Sequence, residues 1–298
     1  MIEDKFVDLY ALNSGLRDKL VAERDVVLTY ALRGLIDNGV MDHLAFKGGT
    51  CLRKMIFGSS GRFSEDLDFT IDSDRPEDDV LIDLIESLNR EHYGISFVFD
   101  EYYKTESDTS FGGDVKYSHA WNDAGRFRLQ VSLRERPTLP VLSMEMKHQT
   151  YFNHLEIDLF EVRSLQVIEM IAEKIRAAYQ RVKVRDLYDL YCFAATPFDG
   201  ELLRRMTVLK LWQARDPFDP NVFFEKLRSG IYDWEDLRRL VRTSDLIEPD
   251  KINQSVEDRF AVLHQLTELE QQLIADSKSG WNEPLANRLR SEIQTLFS

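Results

Sequence analysis

The most informative part of this chain is Lys47-Gly-Gly-Thr50, followed after a short loop by Arg62-Phe-Ser-Glu-Asp-Leu-Asp-Phe69. In the second segment acidic residues alternate with apolar ones, a pattern that predicts a strand with one buried face. Asp66 and Asp68 then project from the same face of that strand. Two neighbouring carboxylates suit Mg²⁺, which takes oxygen ligands and often shares its coordination with nucleotide phosphates.

The glycine pair upstream of the carboxylates is suited to phosphate binding. Gly48 and Gly49 have no Cβ atoms, so the backbone can approach a ligand closely and its consecutive N–H groups can cradle phosphate oxygens. Either motif alone is common in an acidic chain, but their combination predicts a site for metal and polyphosphate. The predicted nucleotide-binding residues are Lys47, Gly48, Gly49, Thr50, Arg62 and Ser64.

These motifs resemble the signature of the polymerase-β-like nucleotidyltransferase superfamily, and the fuller string is similar to that of its AbiEii-type toxin branch. Sixteen residues separate Gly49 from Asp66, a longer spacer than the superfamily usually has, although this branch tolerates it. The resemblance implies an α+β nucleotidyltransferase fold. It also implies transfer of a nucleoside monophosphate (NMP) from an NTP, with release of pyrophosphate.

A second pair of segments, Ala172–Ala177 and Arg185–Leu190, is similar to the later motifs of the AbiEii-like family. The first lies in a stretch with apolar residues at helical spacing. The resemblance implies that Lys174 engages the triphosphate and that an aspartate of the second motif completes the active site. Asp186 and Asp189 are three residues apart on one helical face, so both remain candidates.

A third carboxylate on a neighbouring strand is common in polymerase-like transfer. Two alternating, strand-like segments offer one: Val141–Met146 contains Glu145, and Leu155–Phe160 contains Asp158. The resemblance favours Glu145, because the family pattern places an acidic residue on a strand upstream of the Lys174 helix.

Composition excludes several other classes of protein. No apolar segment is long enough to span a membrane, and the acidic N-terminus lacks the core of a signal peptide. The two cysteines form no disulfide framework, so we expect a cytoplasmic protein. Cysteine and histidine spacings match no zinc motif, and neither a Walker loop nor a serine-hydrolase elbow is present.

The net charge of −14 requires any RNA contact to be made by a local basic patch. Three clusters are candidates, and the first is the strongest because it adjoins the second motif pair. They are Arg176, Arg181, Lys183 and Arg185; Arg126, Arg128, Arg134 and Arg136; and Arg238, Arg239 and Arg242. The overall charge alternatively favours a basic protein partner.

The pattern of elements predicts two domains. Residues 1–160 combine N-terminal helices with strand-like segments, which predicts a mixed-sheet nucleotidyltransferase core with flanking helices. Residues 161–298 are almost entirely helical in pattern and would contribute Lys174 and Asp186 or Asp189 to the active site.

The resulting expectation is a Mg²⁺-dependent nucleotidyltransferase toxin of a toxin–antitoxin or phage-defence system. The resemblance implies an NTP donor, an RNA acceptor at the tRNA 3′ end and a cognate antitoxin, and the lack of a long apolar segment predicts no membrane association. One alternative is a nucleotide-binding or protein-interaction module without catalysis. Another is a nucleotidyltransferase that modifies a hydroxyl of a small molecule or protein. Clustered carboxylates argue against a silent module, because their mutual repulsion is relieved by a metal.

Overall fold

The computed structural model describes residues 2–105, 109–278 and 281–298. Its contacts divide the chain into two compact units. The first comprises Met1–Leu165 and Arg238–Asp245, and the second comprises Gln166–Leu237 and Leu246–Ser298. The sequence does not predict that Arg238–Asp245 belongs to the first unit. Its pattern predicts one uninterrupted helical domain after residue 160.

The first unit contains a sheet with helices before and between its strands. Its elements are α1 (Asp4–Asn13), α2 (Lys19–Asp37), β1 (Leu44–Lys47), α3 (Gly48–Cys51), β2 (Asp66–Ile71), α4 (Glu77–Ser87), β3 (Glu91–His92), β4 (Ile95–Lys104), β5 (Ser110–His119), β6 (Asn122–Ser132), β7 (Leu142–Glu145) and β8 (Glu161–Ser164). Helix α3 continues into a π-helical turn over Leu52–Phe57.

Within the described ranges, eight strands form one mixed sheet in the order β3-β4-β5-β6-β2-β1-β8-β7. Strand β2 lies near the centre, antiparallel to β1 and parallel to β6. This arrangement confirms the predicted α+β class with a mixed sheet and flanking helices.

Strand β2 has one apolar and one polar face, as its alternating sequence predicts. Leu67 and Phe69 are fully buried, whereas Asp66 and Asp68 are only partly covered. Burying each of these apolar side chains contributes roughly 2 kcal/mol, which favours the register that turns both carboxylates to the opposite face.

Two sequence predictions about strands need correction. The strand predicted over Leu155–Phe160 is irregular, and the observed strand begins only at Glu161. The sequence does not predict strand β5, because its Gly112-Gly113 pair is typical of a loop. Pairing with β4 on one side and β6 on the other makes this segment a central strand.

The remaining helices are α5 (Val167–Gln180), α6 (Val184–Ala194), α7 (Gly200–Gln213), α8 (Pro220–Ser229), α9 (Trp234–Leu240), α10 (Pro249–Phe260), α11 (Glu268–Asp276) and α12 (Glu283–Phe297). The spacing of apolar residues predicts a single helix over 254–276, and this prediction is wrong. Helix α10 ends at Phe260, and Thr267 and Glu270 form a capping box that starts α11. That reciprocal cap satisfies two backbone N–H groups and favours a new helix there.

Buried ion pairs join helices of the second unit. Lys210 on α7 lies 2.7 Å from Glu169 on α5, and Arg204 on α7 lies 3.0 Å from Glu270 on α11. Because removal of one partner leaves a buried charge uncompensated, these pairs restrict how the helices can pack. Among the helices of the described ranges, none is long and apolar enough to cross a membrane.

Candidate active site

The register between β1 and β2 places Lys47 beside the carboxylates. Lys47 is the cross-strand partner of Asp68, and partners in a sheet project from the same face. Lys47 is buried, whereas Asp68 keeps part of its surface accessible. A cation is therefore held next to one of the two predicted metal ligands.

Gly48 lies directly against Asp68. Its φ is +78°, in the left-handed region, and a Cβ atom there would lie 2.2 Å from Oδ2 of Asp68. Only glycine fits this backbone position without displacing the carboxylate. The predicted phosphate-binding and metal-binding motifs thus meet at Gly48 and Asp68.

We expect Gly48→Ala to displace the Asp68 carboxylate and to lower nucleotidyl transfer by roughly a hundredfold. The positive φ should also cost about 1–2 kcal/mol of unfolding free energy. Gly39→Ala is the matched control, because Gly39 has a φ of +72° but its nearest neighbouring atom would be 3.7 Å from the new Cβ. Initial transfer rates and urea unfolding of both variants test this prediction. Equal activity of the two variants would contradict it.

The other predicted nucleotide-binding residues also lie at this turn. A Cβ atom added to Gly49 would lie 2.6 Å from Nη2 of Arg62 and 2.9 Å from Oγ of Ser64. The hydroxyl of Thr50 donates a hydrogen bond to the backbone carbonyl of Asp66. The structure therefore brings the whole predicted set together with Asp66 and Asp68 in the first unit.

The loop that leads into β2 is anchored by Glu65, Arg24 and Arg239, and the sequence singled out only Arg239, as part of a basic cluster. Glu65 accepts two hydrogen bonds from Arg239, at 2.7 and 2.8 Å, and a third from Arg24 at 2.6 Å. The N–H of Phe63 donates to the carbonyl of Leu240 at 2.7 Å. Bidentate arginine–carboxylate pairs fix orientation strongly, so these contacts position the strand that carries the carboxylates.

Strand β6 forms the other flank of β2. Arg128 is the cross-strand partner of Asp66, and Gln130 is that of Asp68. In the next strand, Asp114 is opposite Arg128 and lies 3.8 Å from it. Asp114 is an acidic residue on the site face that sequence reasoning missed, because β5 was not predicted.

The structure does not bring Glu145 to the carboxylate pair. Glu145 is an exposed residue of the edge strand β7, and two strands separate β7 from β2. It lies beside Glu161, at the end of these strands remote from Lys47. Asp158, the other candidate, is exposed in the irregular segment before β8.

Lys174, Asp186 and Asp189 form a cluster within the second unit. The ammonium of Lys174 lies 3.1 Å from Oδ1 of Asp186 and 3.0 Å from Oδ2 of Asp189. Arg181 donates a further hydrogen bond to Asp186 at 2.9 Å. Both aspartates are buried, so their charges depend on these cations.

Burial opposes ionisation of Asp186, but Lys174 and Arg181 outweigh it and lower the pKa of this carboxyl from 3.8 to about 2. Because the pKa of Asp186 is lower in the folded chain than in the unfolded chain, its ionised carboxylate stabilises the fold at pH values above about 3.8. This stabilisation is lost as the pH falls from 3.8 towards 2. It is worth about 2 kcal/mol.

We therefore expect the difference in unfolding free energy between the wild type and Asp186→Asn to shrink by about 2 kcal/mol between about pH 5 and pH 2. Urea unfolding at several pH values measures it. The exposed Asp258→Asn is the control and should show no such change with pH. A constant difference for Asp186→Asn would contradict the assignment.

The two carboxylates on β2 can hold Mg²⁺ together with phosphate oxygens. Within the described ranges, no group of three or more His, Cys, Asp or Glu side chains is arranged to hold a metal ion by itself. An ion at Asp66 and Asp68 would complete its coordination with substrate oxygens and water, which is common for Mg²⁺.

Comparison with known proteins identifies the family. A family model described as the nucleotidyl transferase AbiEii toxin of type IV toxin–antitoxin systems matches residues 30–287. The chain belongs to the AbiEii nucleotidyltransferase toxin family. It is therefore a nucleotidyltransferase toxin, and this class of system implies an NTP substrate and an antitoxin partner.

A solved structure supports the fold assignment for this AbiEii-family chain. This chain is similar to the solved structure of MenT4, the nucleotidyltransferase toxin Rv2826c from Mycobacterium tuberculosis H37Rv, with a TM-score of 0.81 and 24% sequence identity. The match covers 99% of this chain and 100% of MenT4. No curated protein sequence matches the chain.

The basic clusters of this AbiEii-family toxin are partly neutralised by its own acidic residues. Arg185 pairs with Asp236 through two contacts of 2.7 Å, and Arg181 binds Asp186. Arg239 binds Glu65. Lys183 and Arg126 are exposed, as is Arg181.

Proposed function

We propose that this chain transfers an NMP from an NTP to an RNA acceptor, the 3′ end of tRNA, in a reaction that depends on Mg²⁺. The observation that carries the proposal is the Asp66–Asp68 pair on β2, with the backbone of Gly48 held against Asp68. In a family of nucleotidyltransferase toxins, this is the arrangement expected for a metal–triphosphate site.

The residues of the first unit have separate roles in this proposal. Asp66 and Asp68 would hold the metal, and the backbone at Gly48 and Gly49 would receive phosphate oxygens. Lys47 lies beside Asp68 and offsets negative charge where the triphosphate binds. The resemblance assigns Lys174 to the triphosphate and one of Asp186 or Asp189 to the site, and both roles remain predictions.

A bound Mg²⁺ would neutralise phosphate charge and favour expulsion of pyrophosphate. In the transfer, an acceptor hydroxyl oxygen forms a bond to the α-phosphorus. The bond from that phosphorus to the oxygen shared with the β-phosphate breaks, and the hydroxyl proton passes to a carboxylate or to water. Protein groups need only position the substrates and stabilise charge, so no side-chain nucleophile is required.

The alternative acceptor is a hydroxyl of a small molecule or protein. Nucleotide binding without catalysis is not retained, because the chain belongs to a family of nucleotidyltransferase toxins. The accessible surface left on Asp66 and Asp68 lets a metal ion and a substrate reach both carboxylates, as nucleotidyl transfer requires. Action in the cytoplasm and in defence against phage, with release from inhibition by an antitoxin, belongs to the same proposal.

The deciding experiment incubates the purified chain with each α-labelled NTP and total RNA, then with proteins and small-molecule hydroxyls. We expect label in the tRNA fraction at its 3′ end, with Mg²⁺ but not with EDTA. Restoring Mg²⁺ should restore transfer. Label only in protein or small molecules would contradict the RNA assignment, and the absence of transfer to any acceptor would contradict the proposed reaction as a whole.

A further inference from the structure

A row of residues crosses the sheet at the level of Asp68. Cross-strand partners connect Lys47 with Asp68, Asp68 with Gln130, Gln130 with Gly112, and Gly112 with Tyr103. Cross-strand partners share a face, so Tyr103 on β4 lies on the same face as the carboxylates. Three strand spacings of about 4.8 Å separate the backbones of β4 and β2.

Tyr103 reaches this face because of an irregularity in β4. The register between β4 and β5 shifts between Asp100 and Tyr103. Glu101, inside the shift, has a φ of +50°, in the left-handed region that non-glycine residues seldom adopt. An extra residue in one strand reverses the facing of the residues after it, and such bulges often re-aim a side chain near an active site. The strain at Glu101 is thus coupled to the orientation of Tyr103.

The neighbouring strand leaves room for the tyrosine ring. A Cβ atom on Gly112 would lie 2.9 Å from the hydroxyl oxygen of Tyr103. The ring therefore extends from β4 across Gly112, towards β6. Gly112 and Gln130 then form the floor between the phenol and the carboxylates, and Ser110 accepts a hydrogen bond from the amide of Gln130 at 3.1 Å.

The hydroxyl of Tyr103 is close enough to the carboxylates of the site for their charges to affect its pKa. Burial raises the pKa of Tyr103, Arg128 opposes this effect, and the carboxylates Asp68, Asp114 and Asp66 add to it. The phenol is therefore protonated at neutral pH and can donate a hydrogen bond.

The geometry of nucleotidyl transfer places Tyr103 on the acceptor side of the reacting phosphorus. The attacking and leaving oxygens are roughly in line on opposite sides of the phosphorus. Gly48 and Lys47, which are assigned to phosphate, lie on the β1 flank of β2. The acceptor then approaches from the β6 flank, where Gln130, Gly112 and Tyr103 lie.

We propose that Tyr103 binds the acceptor end of the RNA substrate, with its ring as a stacking surface for the terminal base. This inference rests on the proposed function. Unpaired nucleic-acid ends are commonly held by stacking on aromatic side chains, and each such contact is worth roughly 1–3 kcal/mol. Tyr103 thereby acts on the acceptor and not on the NTP.

The test compares Tyr103→Leu, Tyr103→Ala and Tyr103→Phe in steady-state transfer to total tRNA. We expect Leu and Ala to raise the KM for tRNA roughly tenfold or more, since that is the effect of losing one stacked base. The Phe variant should stay within about threefold of wild type, and no variant should change the KM for NTP. Binding of tRNA without NTP should weaken in the same order.

The matched control is Tyr102→Ala, which removes an exposed neighbouring tyrosine within the bulge and should leave both KM values unchanged. Thermal unfolding checks the fold, and Tyr103→Leu keeps the site filled if the alanine variant does not fold. Unchanged tRNA KM in Tyr103→Leu, or a rise in the KM for NTP instead, would overturn the inference. A wild-type chain that labels no RNA at all would contradict the proposed function itself.

Discussion

Replacing Asp68 or Asp66 by asparagine is expected to reduce nucleotidyl transfer by roughly a thousandfold or more. Each change removes one anionic ligand and keeps the side-chain shape, and metal stabilisation of phosphate charge is worth several kcal/mol. Both residues keep accessible surface, so unfolding temperature should change little. Initial rates of labelled NMP incorporation at saturating Mg²⁺ measure the effect.

Asp114→Asn is the matched control for this pair. Asp114 lies on the same face of the sheet, opposite Arg128, but two strands from β2. It should retain most of the activity if the metal is held by Asp66 and Asp68. Full activity of Asp66→Asn or Asp68→Asn would remove the basis of the metal assignment.

Lys174→Ala is expected to lower transfer roughly a hundredfold and also to destabilise the second unit. Loss of the proposed charged contact to the triphosphate would account for the kinetic effect. The ammonium lies 3.1 Å from Asp186 and 3.0 Å from Asp189, so its removal leaves two buried carboxylates without their shared cation. Breaking a buried pair in this way costs roughly 3–5 kcal/mol. Transfer rates and thermal unfolding of the same preparation separate the two effects.

The double variant Lys174→Ala/Asp189→Asn, compared with Asp189→Asn alone, isolates the role of Lys174 in transfer. It removes one buried negative charge together with the cation and should recover much of the lost stability. Activity should stay low, because neither change restores a positive charge for the triphosphate. Recovery of activity in parallel with stability would show that Lys174 is structural. Comparing Asp186→Asn with Asp189→Asn then indicates which aspartate the reaction needs.

Local sequence alone was sufficient to predict the central strand and the face from which Asp66 and Asp68 project. The alternation around Asp66 and Asp68 indicates a strand with one buried face. The backbone freedom of the nearby glycine pair is likewise a local property, because glycine has no Cβ atom. Helices α5 and α6 were predictable for the same reason, since their apolar spacing is local. The motif resemblance also led to the family that the comparison confirmed.

Only the tertiary structure decided which strands are neighbours. Glu145 lies on a strand, as predicted, but non-local pairing places that strand at the edge of the sheet, remote from Asp68. Likewise, β5 exists despite its glycines because strands on both sides satisfy its backbone. Tyr103 faces the site through a bulge whose register depends on β5. Side-chain periodicity is encoded locally, whereas strand order and register depend on contacts between distant residues, and no single segment specifies them.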